Sequence, residues 1–275
     1  MQSHFGFVRP ILSRRHLVLG VGAGLFAASA ALAEEAEHGV VRTTAAHKPK
    51  PRKVAPTAKP AAPAPDHAAA PHVVTGLDPE AAMARLVAGN ERYVSGFSAH
   101  PHNDLPRRGK VATGQTPFAT ILACADSRVA PELLFDQGLG DLFVCRVAGN
   151  VVDDALLASL EYSVIHLGST LIMALGHERC GAVKATIDAL EGRGSPEDVG
   201  TKIGALAGLI SPAIRAIPPG ATDRLDAAVS INATHAAAEI FVNSPPLRAR
   251  VLAGKLKIVA ARYDLDDGKV TPARA

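Results

Sequence analysis

The sequence predicts an α/β fold in which a mostly parallel central β-sheet is flanked by helices. Three short apolar runs indicate this sheet, at residues 118–124, 141–149 and 169–177. Strands buried on both faces carry continuous apolar residues, as these runs do, whereas half-exposed strands alternate. A fourth strand, with clearer alternation, is predicted over residues 255–264. Segments with helical periodicity lie between the strands, an order typical of parallel sheets covered on both faces.

The folded domain is predicted to begin at residue 77 and to run to residue 275. Its first element is a helix, because Asp78 has the N-cap residue type and Pro79 suits the first helical position. Apolar residues then recur at helical spacing over residues 82–93. Gly89 weakens the middle of this helix, since glycine is a poor helix former.

A polar loop that contains Pro101 and Pro106 is predicted to lead into the first strand. Further helices are predicted over residues 153–168, 180–192 and 224–244. In open parallel sheets, ligands bind beyond the carboxyl ends of the strands. We therefore expect the functional residues at that edge of the sheet.

Residues 1–33 are predicted to be an export signal of the twin-arginine type. They contain adjacent arginines at Arg14 and Arg15, a following apolar stretch, and small residues at Ala31 and Ala33 that suit a cleavage site. The mature protein would then be periplasmic or otherwise exported. The alternative is an uncleaved anchor, because the apolar stretch is close to the shortest length that spans a bilayer. In that case the protein would be tethered to the membrane.

Residues 34–76 are rich in Pro, Ala and Lys and contain no aromatic residue, which predicts a disordered linker. Residues 1–76 hold 9 of the 29 Lys and Arg residues and 4 of the 26 Asp and Glu residues. The remaining chain therefore carries 20 basic against 22 acidic residues. The basic excess belongs to the leader and linker, and the folded domain is not predicted to bind nucleic acid.

The chain contains three cysteines, Cys124, Cys145 and Cys180. An exported protein that relies on a disulfide framework normally has an even number. One disulfide with one buried free thiol remains an alternative. Cys145 lies in the middle of a predicted strand, where a cysteine usually serves as a small apolar core residue.

The remaining two cysteines and a histidine form a candidate metal site. Cys124 ends the first strand, and His177 with Cys180 forms an H-x-x-C pair after the third. Two thiolates and one imidazole are the ligands of a catalytic zinc site that keeps a fourth position open. Sulfur ligands favour Zn²⁺ over Mg²⁺ or Ca²⁺, although cobalt or iron would suit the same residues. Taken singly, such a cysteine is usually a core residue and such a histidine a loop residue.

Asp126 and Arg128 follow Cys124 at alternate positions, which would face the same way on an extended segment. A carboxylate beside the open position could accept a hydrogen bond from metal-bound water, and a neighbouring guanidinium would keep it ionised. The alternatives are a surface ion pair, or Asp126 as a fourth zinc ligand that closes the site.

The sequence "CADSRV" followed by "GHERCGAV" resembles the signature pair of the beta-class carbonic anhydrases. The resemblance extends over residues 77–272 and includes "RLVAGNERYVSG", "SLEYSV" and "LKIVAARYDLDDGKV". The two motifs at this separation are specific as a pair, whereas C-x-D-x-R alone would be weak.

This resemblance implies reversible hydration of carbon dioxide to bicarbonate and a proton by a zinc-bound hydroxide. It implies one Zn²⁺ per subunit on Cys124, His177 and Cys180, with Asp126 and Arg128 beside the hydroxide. The chain has no tryptophan. This casts doubt on a regulatory bicarbonate pocket, which in some family members uses that residue.

The resemblance also implies residues that hold substrate. Gln115 is similar to a family glutamine that donates to a substrate or bicarbonate oxygen across a dimer interface. Gly181 follows the last ligand, where a backbone N–H can orient a bound anion. The implied assembly is a homodimer, or an assembly of dimers, in which the helical arm at residues 78–95 packs on the partner.

Three other functions fit the same residues. A hydrolase of CS₂ or COS on this fold would use identical zinc ligands. A non-catalytic zinc-binding or anion-binding protein would have Asp126 permanently on the metal. Thiol redox chemistry through Cys124 and Cys180 would not require His177. The twin-arginine pathway carries folded proteins, so zinc could be loaded onto reduced thiols before export.

Overall fold

The computed structural model describes residues 77–198 and 200–273, and the predicted export signal and linker lie outside them. In these residues one five-stranded sheet forms, with strand order β2-β1-β3-β4-β5. The strands are β1 (Ala119–Ala123), β2 (Leu142–Arg146), β3 (Leu171–His177), β4 (Lys257–Tyr263) and β5 (Val270–Pro272). The first four pair in parallel, and β5 pairs antiparallel to β4. The predicted mostly parallel α/β fold is therefore confirmed.

Helices cover both faces of this sheet. They are α1 (Pro79–Val94), α2 (Leu105–Val111), α3 (Pro131–Leu134), α4 (Asp154–Ile165), α5 (Gly181–Leu190), α6 (Lys202–Arg215), α7 (Arg224–Asn243) and α8 (Pro245–Leu252). Short 3₁₀ turns occur at Ala148–Asn150 and Pro196–Asp198. No helix in the described part of the chain is both long and apolar enough to cross a bilayer.

Five elements differ from the sequence prediction, namely α2, α3, α6, α8 and β5. The predicted polar loop contains α2, because Asp104 caps its first turn by accepting from the Arg107 amide at 2.7 Å. The α6 helix was not predicted, since Gly204, Gly208 and Pro212 obscure its helical pattern. Strand β5 has three residues, too few to give a periodic signal.

Consecutive residues of β1 and β3 belong to opposite core layers. Ile121 and Met173 pack on the α1 and α3 side of the sheet, whereas Leu122 and Ile172 pack on the side of α4, α7 and α8. All four are at most 1% exposed. This two-sided burial explains why both strands read as continuous apolar runs.

Gly89, in the middle of α1, allows the helix to pack closely against the neighbouring backbone. An ideal Cβ on Gly89 would lie 1.8 Å from the Phe135 carbonyl oxygen, so only glycine lets the helix approach this backbone. The next residue, Asn90, donates to the carbonyls of Leu134 at 3.0 Å and Gly268 at 2.9 Å. Helix α1 thus contacts α3 and β3 of its own chain. Its packing on a partner remains a prediction.

We expect Gly89→Ala to destabilise the protein by about 1–3 kcal/mol, the usual range for overpacking a closely packed site. The free energy of unfolding, measured by urea denaturation, checks this. Gly204→Ala is the matched control, because an ideal Cβ at Gly204 meets nothing within 4 Å. The control should change the free energy of unfolding by less than about 1 kcal/mol, in the stabilising direction. Equal destabilisation by both changes would contradict this account of α1.

Candidate metal centre

The candidate metal ligands lie together at the carboxyl edge of the sheet. Cys124 follows β1 directly, His177 is the last residue of β3, and Cys180 is the N-cap of α5. Because β1 and β3 are neighbours in the sheet, their ends meet. The two sulfurs and an imidazole nitrogen all lie within 4.8 Å of one another. The predicted convergence of residues distant in sequence is therefore observed.

These three residues fit a zinc ion in chemistry as well as in spacing. His177 is fully buried, and its Nδ1 is 2.9 Å from the Glu178 carbonyl oxygen. A hydrogen bond there places the proton on Nδ1 and leaves Nε2 as a lone-pair donor. Among the residues described, Nε2 has no hydrogen-bond partner. A buried, unsatisfied nitrogen beside two thiols matches the donor set of a zinc site.

The pKa values of the Cys124 and Cys180 thiols are shifted in opposite directions. The hydrogen bond with Cys180 holds the pKa of Cys124 well below its ordinary value, and His177 and the Gly149 amide also lower this pKa. The same hydrogen bond raises the pKa of Cys180, as does its burial. Without metal, one proton therefore stays on Cys180. Binding of a metal by both sulfurs must release that proton.

The third cysteine is different. Cys145 is buried in β2, and burial raises its pKa to about 11. It therefore remains a neutral thiol and packs in the core, as predicted. All three cysteines are free thiols.

Asp126 and Arg128 form a bidentate pair at the edge of the site. Arg128 donates from Nε to Asp126 Oδ1 at 2.9 Å and from Nη2 to Oδ2 at 2.7 Å, and its backbone amide donates to Oδ1 at 3.0 Å. These hydrogen bonds hold the pKa of Asp126 well below its usual range. Asp126 Oδ2 lies 3.9 Å from His177 Nε2. An ionised carboxylate thus lies beside the candidate metal ligands.

Sequence reasoning missed Arg146, which fastens the backbone that carries Cys124 and Asp126. Its Nε donates to the Cys124 carbonyl at 3.0 Å, and its Nη2 donates to the Asp126 carbonyl at 2.6 Å. Arg146 ends β2, directly opposite Ala123 of β1. The sequence alone shows an arginine at a strand end but not the strand beside it.

Gly149 and Asn232 were also missed. The Gly149 amide donates to Cys124 Sγ at 3.3 Å, from a backbone with φ of 73°. An ideal Cβ there would lie 2.7 Å from Ile210 Cδ1, so glycine suits this position on both counts. Asn232 of α7 donates to the Gly149 carbonyl at 2.7 Å. The "AGN" segment was a detectable signal for a special turn, but not for a contact with sulfur.

The two predicted substrate-binding residues lie in different places. Gly181 is exposed at the start of α5, next to Cys180, and an ideal Cβ on it would meet nothing within 4 Å. Gln115 is exposed in the loop before β1, at the opposite end of that strand from Cys124. Within one chain, Gln115 is therefore not brought to the site.

Comparison with known proteins agrees with this geometry. A carbonic anhydrase family model matches residues 119–270. Carbonic anhydrase 2 of Mycobacterium tuberculosis is 40% identical over 192 residues, which cover 70% of this chain and 91% of that protein. The carbonic anhydrase of Mycolicibacterium smegmatis is 39% identical over 193 residues, covering 70% of this chain and 92% of that protein.

Solved structures give the same result. A Coccomyxa beta-carbonic anhydrase in complex with acetazolamide matches with a TM-score of 0.54 and 27% identity, covering 69% of this chain and 85% of that one. The beta-carbonic anhydrase CcaA matches with a TM-score of 0.53 and 25% identity, covering 68% of this chain and 86% of that one. The chain therefore belongs to the carbonic anhydrase family, and its fold is that of the beta class.

Proposed function

We propose that this protein catalyses the reversible hydration of carbon dioxide to bicarbonate and a proton, with one Zn²⁺ per subunit. Cys124, His177 and Cys180 would hold the ion. The observation that carries this proposal is the approach of their donor atoms to within 4.8 Å, with His177 Nε2 left unsatisfied among the described residues. Family membership and the identity to curated carbonic anhydrases support the same reaction.

Zinc held by three protein ligands lowers the pKa of water to about 7, and so supplies a hydroxide nucleophile near neutral pH. The protein's part is to orient this nucleophile and keep it accessible. Asp126 is ionised and close to His177 Nε2, so it can accept a hydrogen bond from the attacking oxygen and direct a lone pair toward carbon dioxide.

The paired geometry of Asp126 favours an open site over a blocked one. Both of its oxygens accept from Arg128. Ligation of a metal by Asp126 would draw charge from the oxygens that accept from Arg128 and so weaken this bidentate pair, which is among the stronger side-chain interactions. We infer that Arg128 keeps the carboxylate as a hydrogen-bond acceptor rather than a fourth ligand.

Carbon dioxide is small and apolar, so little binding energy is available and catalysis must rest on positioning. The Gly181 amide is suited to orient the bicarbonate product, because it lies at the N-terminus of α5, where amides attract anions. Gln115 would donate to the same oxygen atoms from the other subunit of a homodimer. Its place at the far end of β1 keeps it away from the metal site of its own subunit.

We also propose that residues 1–33 direct export and that residues 34–76 tether the catalytic domain. The site gives a reason for exporting a folded protein, because the two ligand thiols could form a disulfide in an oxidising compartment before metal binds. Loading of zinc in the cytoplasm would prevent this.

The metal assignment predicts that Cys124→Ser and Cys180→Ser each remove most of the bound zinc. Each change replaces a thiolate ligand by a hydroxyl, which is a poor zinc ligand. Metal content of the purified full-length protein, by mass spectrometry, checks this. The matched control is Cys145→Ala, which should keep about one zinc per subunit. If all three variants keep their zinc, the assignment is wrong.

For Asp126→Asn we expect zinc content to be unchanged and carbon dioxide hydration to fall by about 10²-fold, the loss that follows when a reacting atom is misoriented. Stopped-flow hydration assays with an indicator measure the rate. Asp154→Asn, an exposed change in the first turn of α4, is the control. A fully active Asp126→Asn enzyme would exclude the proposed role of this carboxylate.

The role of Gln115 predicts complementation between subunits. Gln115→Ala and Cys124→Ser homodimers should both be nearly inactive. A mixed dimer should regain one active site, because the subunit with intact ligands receives Gln115 from its partner. Hydration is measured after the two variants are unfolded and refolded together with zinc. Without recovery in verified mixed dimers, the assignment across subunits fails.

A further inference from the structure

The loop between two candidate metal ligands has an unusual backbone. Arg179 lies between His177, which ends β3, and Cys180, which begins α5. Its φ is 51°, in the left-handed region that residues with a Cβ seldom adopt. Asn, Asp and Gly suit such a position, whereas a long arginine does not. Some other interaction must therefore hold this conformation.

The Arg179 side chain supplies that interaction. Its Nη1 donates to Asp266 Oδ2 at 2.8 Å, and its Nη2 donates to Asp266 Oδ1 at 2.7 Å. Nη1 also donates to Glu178 Oε1 at 3.1 Å. This bidentate pair ties the ligand loop (residues 177–180) to the β4–β5 turn (residues 264–269).

The β4–β5 turn is itself well fixed. Asp264 Oδ1 accepts from the Asp266 amide at 2.9 Å, and Asp264 Oδ2 accepts from Arg262 Nη1 at 3.0 Å. The Asp264 amide donates to the Lys269 carbonyl at 2.9 Å, which closes the turn. Asp266 is thus presented to Arg179 from an ordered anchor.

A second set of contacts runs through Glu178. Its amide donates to the Tyr263 carbonyl at 2.8 Å, and its Oε2 accepts from the Leu265 amide at 3.1 Å. The Glu178 carbonyl faces His177 Nδ1 at 2.9 Å. Glu178 therefore holds the ligand loop to Tyr263 and Leu265, and Arg179 holds it to Asp266.

The acidic side chains here could suggest a second cation site, since oxygens of Glu178, Asp264 and Asp266 lie within 4.8 Å of one another. Their charges are already paired, however. Arg179 contacts Glu178 and Asp266, and Arg262 contacts Asp264. A cation there would compete with two guanidinium groups, so this cluster is better explained as an anchor for the loop.

We propose that the ion pair between Arg179 and Asp266 positions the zinc ligands His177 and Cys180 by holding the left-handed turn between them. Arg179 is a positioning residue, since it acts through the backbone and does not touch the metal. When the pair is lost, residue 179 can relax to negative φ. The Cys180 sulfur then turns away from Nε2, and the ligand set is no longer preorganised. This inference rests on the proposed function only in taking zinc as the bound ion.

The test measures zinc affinity by competition with a chromophoric chelator, using the full-length reduced protein. Asp266→Ala should weaken zinc binding by about 2- to 5-fold, the scale of an exposed ion pair. Asp267→Asn is the matched control, because this neighbour in the turn pairs with Lys269 instead, and an asparagine oxygen can still accept from the Lys269 amide, so affinity should be unchanged. Circular dichroism of the metal-free proteins checks that all of them fold.

The decisive variant is Arg179→Gly, because glycine adopts the left-handed conformation without cost and needs no anchor. We expect it to bind zinc with near wild-type affinity. The Arg179→Gly, Asp266→Ala double variant should bind equally well, while Arg179→Ala should be as weak as Asp266→Ala. If Asp266→Ala binds zinc as tightly as wild type, or if Arg179→Gly fails to rescue it, the proposal is wrong.

These outcomes are distinct from failure of the proposed function. If the wild-type protein binds no zinc, the proposed function itself fails. If it binds zinc but does not hydrate carbon dioxide, the reaction is wrong while the positioning role can still be measured by affinity. Raising NaCl to about 1 M should weaken zinc binding more in wild type than in Arg179→Gly, because salt screens the exposed ion pair that only wild type has. Equal salt sensitivity of the two proteins would contradict the role of the pair.

Discussion

The parallel pairing of β1 with β3 is the constraint on which the site depends. Ala123 of β1 lies opposite Leu175 of β3, so both strands end at the same edge of the sheet. The residue after β1 and the last residue of β3 then meet at that edge. A slip of this register would separate the sulfur from the imidazole and turn side chains to the other face. The two-sided apolar core fixes the register, because each face of both strands is buried.

Around this convergence, other residues hold the backbone of the candidate ligands. Arg146 donates hydrogen bonds to the carbonyls of Cys124 and Asp126, and the Gly149 amide donates to the Cys124 sulfur. Arg179 and Glu178 hold the second loop to the turn that follows β4. Each ligand therefore has support from a neighbouring strand or turn. Support of this kind decides how accurately a metal site is formed.

The sequence allowed prediction of the strands and of the candidate ligands for different reasons. Buried parallel strands leave continuous apolar runs, and metal ligands are rare residue types in short motifs, so both are local signals. The pairing of Asp126 with Arg128 was also local, since two positions separate them. These features could be found without knowing which elements are neighbours.

The supporting contacts could not be found this way, because they join residues far apart in sequence. Arg146 and Asp266 are each an ordinary charged residue until the neighbouring loop is known. Helix α6 was hidden by Gly and Pro, which lower helical propensity although tertiary packing compensates. The position of Gln115 shows a further limit, since its predicted role depends on a second subunit. Sequence patterns predict how one chain folds, but they do not show which residues of a second subunit lie near its site.

The fixed tautomer of His177 has a consequence for the release of the proton from each turnover. One ring nitrogen faces a carbonyl and the other faces the metal position, so this imidazole has no free nitrogen to carry a proton. Asp126 is too acidic to retain one at neutral pH, and Arg128 is too basic to give one up. In the proposed reaction, none of these three side chains would carry the proton away, so it would pass to solvent or to a dissolved base. Buffer would then act as a second substrate, and turnover would rise with its concentration.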